Sequence, residues 1–131
     1  MSIGVIVPPI AISADEYQTH VERWAKMSRS GAAFPRRTKA RLIALHYFQM
    51  AFEPERVYSE PQVNNYIKDG NLFDIDHVQI RRYLVDYRML DRSSNGRSYT
   101  TSQEYLSLAD WDPLVLQSHR PNPRRSPARE R

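Results

Sequence analysis

The chain has 131 residues, of which 40% are hydrophobic and 26% charged, enough for one domain with a modest core. It has no cysteine, which excludes disulfide frameworks, thiolate metal sites and cysteine nucleophiles. The net charge of +4 is confined to residues 117–131, which hold five Arg and one Glu, so residues 1–116 balance at 14 basic against 14 acidic. Total charge therefore says nothing about a nucleic-acid partner, and only its distribution can.

Residues 1–12 read as an extended arm broken by Pro8 and Pro9, and they lack the basic start of a signal peptide. No apolar run approaches the roughly 18 residues of a membrane span, so a cytoplasmic protein without a membrane partner is expected. Ser13 with Glu16 forms a capping-box pattern opening a helix over residues 14–28. Tyr17, Val21, Trp24 and Ser28 share one stripe of it, fit either to dock on the rest of the chain or to pair with a second copy as a homodimer. Residues 28–35 are a linker, with Ser30-Gly31 ending the helix.

A second helix over 38–52 carries Leu42, Ile43, Leu45, His46, Met50 and Phe52 as a broad core face, and Pro54 ends it. Val57-Tyr58 is a short β-like piece. Ser59 with Gln62 caps a third helix, with Pro61 in its first turn and Val63, Tyr66 and Ile67 as its buried stripe. Asp76 is the N-cap of a fourth helix over 77–87. The segment 89–100, with Asn95-Gly96 between two strand-like runs, is a hairpin. Residues 103–108 predict one more short helix, with Trp111 and Leu114 packed behind it. Beyond residue 117, prolines among Arg and Ser predict a disordered tail.

The order helix, strand, helix, turn, helix, hairpin is that of a winged helix-turn-helix, in which the last helix enters the major groove and the hairpin touches the backbone. The expected class is thus mainly α with a small β-hairpin: a winged-helix domain over 34–116, an N-terminal arm and helix over 1–33, and a disordered Arg/Pro-rich tail over 117–131. On the fourth helix Ile80, Leu84 and Tyr87 cluster on one side, opposite Gln79, Arg82, Tyr83 and Asp86. Gln suits adenine edges, and Arg suits guanine or phosphate. Arg81 falls inside the apolar arc and reads as a half-buried, ion-paired residue. The hairpin adds Arg92, Arg97 and Ser98 for phosphates. Residues 23–41 hold seven basic residues and no acid, with Arg36, Arg37, Lys39 and Arg41 as further phosphate contacts.

Three blocks carry a resemblance: Phe52-Glu53-Pro54 with Arg56, Tyr58, Glu60 and Val63-Asn64; Arg81-Arg82 with Leu84-Val85-Asp86-Tyr87; and Leu90-Asp91-Arg92 before a short wing. Over residues 34–99 the chain resembles the bacterial domain of unknown function 2087 family. That resemblance implies a winged-helix-like nucleic-acid-binding module. Glu55 and Arg88 depart from it, standing where glycine is usual, so those turns are expected to differ.

No P-loop, dinucleotide-binding glycine motif or nucleophile elbow is present, so neither an enzyme nor a cofactor is expected. Asp74, Asp76 and His77 fit a helix cap better than a metal site. His20 and His46 read as core-edge or surface residues. The expected function is a transcriptional regulator binding double-stranded DNA. A winged-helix protein adaptor, anchored by residues such as Trp24, Trp111 and Tyr99, and an RNA- or ribosome-binding protein are the alternatives.

Overall fold

The computed structural model describes residues 10–27 and 31–117. The proposed disorder of the tail, most of the arm and Ser28 lie outside the described residues. The two capping boxes and the Asp76 cap form as their spacing requires. Ser13 opens α1 (Ala14–Lys26), Ser59 opens α3 (Glu60–Gly70), and the Asp76 carboxylate accepts from the Gln79 N–H at the start of α4 (His77–Asp86). Between them, α2 (Thr38–Gln49) is buried from Leu42 to Gln49 apart from Tyr47, with Leu42, Ile43, Ala44 and Leu45 at or below 1% exposure. It is the central rod of the core.

Five short strands occur among the described residues. β2 (Tyr58–Ser59), β3 (Leu90–Arg92) and β4 (Ser98–Thr101) form an antiparallel sheet in the order β2-β4-β3. Tyr58 faces Tyr99, and Arg92 faces Tyr99 from the other side, so β4 is the middle strand. β1 (Ala11–Ile12) and β5 (Asp110–Trp111) pair in parallel, a contact with no signature in pieces of two residues. A 3-10 helix over Glu104–Leu108 precedes β5, and α5 (Pro113–Gln117) follows it. Val115, not Leu114, is the buried residue of α5; Leu114 is 62% exposed. The described part is thus mainly helical with two small sheets.

The stripe on α1 is spent inside the chain. Tyr17 and Trp24 are buried, the Tyr17 hydroxyl is hydrogen-bonded to His46 Nδ1 at 2.8 Å, and Trp24 packs edge-on against Phe73. Of the two uses open to that stripe, these contacts show the docking of Tyr17 and Trp24 on the rest of the chain. The described part of the linker is held in place: Ala32 forms a parallel bridge with Phe73, donating to the Leu72 carbonyl and accepting from the Asp74 N–H.

Both turns at Glu55 and Arg88 keep the left-handed backbone that glycine favours, with φ of 66° and 64°. The expected difference in the turns does not occur. At Arg88 the reason is a Schellman closure of α4: Met89 N–H donates to the Leu84 carbonyl and Arg88 N–H to the Val85 carbonyl. Met89 is then fully buried, so the hairpin starts anchored in the core.

Candidate nucleic-acid interface

α4 turns Ile80 and Leu84 into the core and leaves Arg82 and Asp86 exposed, with Gln79 half-buried. Arg81 lies between these faces. Its guanidinium donates to the Asn64 side chain and lies 3.6 Å from the Glu60 carboxylate, while the Tyr99 hydroxyl donates to Glu60 at 3.3 Å. One carboxylate on α3 therefore fastens both α4 and the middle strand of the hairpin sheet. Arg81 is the half-buried, paired arginine its position in the apolar arc requires.

This fastening sets a groove of about 260 Å³ between α4 and the hairpin, walled by Arg82, Val85 and Asp86 on one side and by Arg92 and Tyr99 on the other. At the hairpin tip, Asn95 Oδ1 accepts from Arg97 N–H at 2.9 Å and from the Ser93 hydroxyl at 2.7 Å. Gly96 takes φ of 74°, and a Cβ there would come within 2.7 Å of the Arg92 guanidinium. The glycine thus allows Arg92 to lie across the turn. Arg97 is exposed, and Ser98 is half-buried with its N–H donating to the Ser93 hydroxyl. Arg82, Arg92 and Arg97 have no carboxylate oxygen within 4.0 Å among the described residues.

Arg36 and Arg37 are exposed at the start of α2. That end has no side-chain cap and no acid in its first turn, so the helix dipole and the arginines add in the same sense. Thr38 shares a cleft with Asp86 and Tyr87, which brings the start of α2 to the C-terminal end of α4.

Three expected contacts are committed elsewhere. Tyr83 is half-buried, stacked on Phe34 at 5.3 Å and 7°, and the Arg41 guanidinium lies 4.6 Å over its ring. Arg41 also donates to the Pro35 carbonyl. Lys39 is paired with Glu16 at 3.0 Å; the Ser13 backbone N–H first, then Lys39, hold the Glu16 carboxyl below its ordinary range. Tyr83 and Arg41 join α4, α2 and the linker, and Lys39 joins α2 to α1. Helical spacing alone did not reveal this, because Phe34 and Glu16 lie in other segments. Conversely, Arg92 belongs to the groove wall more fully than its place in a hairpin implied.

Among the described residues no group of three or more His, Cys, Asp or Glu is placed to hold a metal, and no helix is long and apolar enough to cross a membrane.

The site is thus a helix face and an arginine-bearing hairpin, locked together by a shared carboxylate at the edge of a small helical domain. The model of the bacterial family described as domain of unknown function 2087, an uncharacterized protein conserved in bacteria, matches residues 32–101, and the chain belongs to that family. The match contains α2 to β4 and the whole groove; α1 and β5 flank it. No curated protein and no solved structure matches the chain.

Proposed function

We propose that this protein is a DNA-binding transcriptional regulator that uses a winged helix-turn-helix, and that it acts as a binding module and not as an enzyme. The element order α2, β2, α3, α4, β3, β4 and the strand order β2-β4-β3 support the winged-helix reading. α4 would lie in the major groove, with Gln79 and Arg82 toward base edges, while Arg92, Arg97 and Ser98 meet the backbone. Arg36 and Arg37, at the positive end of α2, would hold a further phosphate. The observation that carries the reading is the pair Arg82 and Arg92. They wall one groove from two elements, and neither has a carboxylate within ion-pair distance among the described residues.

The test is a selection from random duplexes with the full chain and with a chain ending at Leu116. A motif enriched by both is expected. On the enriched duplex, Arg82→Ala should weaken binding by about 1–3 kcal/mol. Equal affinity of mutant and parent would remove α4 from the interface.

A protein-binding module is the second reading. It draws on the neutral body and on Leu106, Leu108, Leu114 and Leu116, all at least 38% exposed along the 3-10 helix and α5. Enrichment of no duplex by either chain would favour it.

A further inference from the structure

On the side of α2 facing the 3-10 helix lies a second cavity of about 250 Å³, framed by His46, Gln49, Met50, Phe52, Thr101 and Tyr105 and bordered by α5. Three of its polar groups are buried and only partly used, while Gln103 and Gln117 border it as exposed amides. His46 is 2% exposed, and its Nδ1 is bonded to the Tyr17 hydroxyl while Nε2 has no partner among the described residues. Gln49, 7% exposed, donates its amide N–H to the Met89 and Ser102 carbonyls, and its Oε1 accepts nothing among the described residues. Tyr105 is 4% exposed, its backbone carbonyl accepts from the Trp111 indole, and its hydroxyl is unpartnered among the described residues. Buried polar groups are normally hydrogen-bonded, so three unfilled positions around one hollow call for a partner that enters it.

The walls also state what that partner is not. None of the lining side chains is an acid, a lysine or an arginine. His46 is neutral at physiological pH, because burial pushes it down to about 4, and burial likewise raises the Tyr105 phenol above its usual value. Among the described residues that line it, an anion would find no counter-charge and a cation no carboxylate. At about 30 Å³ per water the volume equals about eight waters, the scale of a single ring. Phe52, Met50 and the Tyr105 ring supply apolar faces for it.

The structure assigns this cavity as a binding site for a small uncharged ring compound that carries both a hydrogen-bond donor and an acceptor, such as a cyclic or aromatic amide. The amide N–H meets Gln49 Oε1, and its carbonyl meets the Tyr105 hydroxyl. His46 Nε2 takes a further polar substituent. The inference does not depend on what α4 contacts.

Titrations of the full chain with benzamide and 2-pyridone, followed by NMR at the Gln49 amide and at the His46 and Tyr105 rings, test it. Shifts confined to these residues are expected with both probes. Benzoate, of the same shape but charged, should bind at least tenfold more weakly than benzamide. Tyr105→Phe should weaken benzamide about three- to tenfold, the loss of one hydrogen bond. Its melting temperature should not fall, since the hydroxyl has no partner to lose among the described residues. Absence of shifts with both uncharged probes, benzoate binding equal to benzamide, or shifts mapping to another face would each overturn the assignment. The first comparison uses only the parent chain, so it decides the matter even if Tyr105→Phe does not fold.

Discussion

His46 sits where three aromatic residues meet: Tyr17 at 5.5 Å, Trp111 at 5.1 Å and Tyr105 at 5.6 Å between ring centroids. Burial lowers it from 6.5 to about 4, so between those values the unfolded chain holds a proton that the folded chain does not. Stability therefore falls as pH drops from 6.5 toward 4, by about 3 kcal/mol over the whole window. Denaturant titrations at several pH values should show this slope. It should be largely absent in His46→Gln. His20, lowered by burial and then by Arg23, contributes in the same sense and remains in the variant, so the difference between the two curves reports His46. Identical curves would mean that the ring is charged in the fold. In the sequence, His46 stands on a helical face and reads as core-edge. Its depth depends on Tyr17 of α1 and on Trp111 of β5, and neither contact is encoded near it in the chain.

Element ends were the most readable feature. Ser13, Ser59 and Asp76 each start a helix where a short polar side chain precedes an apolar stripe, because the cap is a contact within three residues. What could not be read was long-range: the β1–β5 pairing spans about a hundred residues with two residues a side, too few for any periodicity. The same limit hid the Phe34–Tyr83–Arg41 stack, which turned a surface-reading tyrosine into a joint between elements. Arg88 lies between these cases. The resemblance implies glycine at this position, and the Schellman closure of α4 gives a physical reason for one. A left-handed non-glycine residue costs about 1–2 kcal/mol, whereas glycine costs about 0.5–1 kcal/mol in chain entropy. Its ion pair with Glu104, 3.3 Å long and more than 60% exposed at both ends, adds little. Arg88→Gly should therefore stabilise the fold by about 0.5–1 kcal/mol, read as a higher denaturation midpoint at unchanged slope. Destabilisation would show that the Arg88 side chain does more than the exposed pair accounts for.

At the scale of the whole molecule the question is how a neutral body would hold a polyanion. Residues 1–116 carry no net charge, yet Arg36, Arg37, Arg82, Arg92 and Arg97 are all exposed without a carboxylate within 4.0 Å among the described residues. Some acids are used, Glu16 on Lys39, Glu60 on Arg81 and Tyr99, and Asp76 on the cap of α4, while Asp86 stays exposed in the groove wall with Arg82. Local patches, not the total, would then set the electrostatics, and the five arginines of residues 117–131 would add to them. Each phosphate neutralised contributes about 0.9 to the slope of log K against log salt on duplex DNA. For the proposed interface, the chain ending at Leu116 should keep a slope of about 3–4, and the full chain should be steeper by up to about 4. Binding isotherms at a series of salt concentrations measure both. A shortened chain whose affinity no longer responds to salt would mean that the five body arginines touch no phosphate. The groove between α4 and the hairpin would then have to be read as a surface for an uncharged or acidic protein segment.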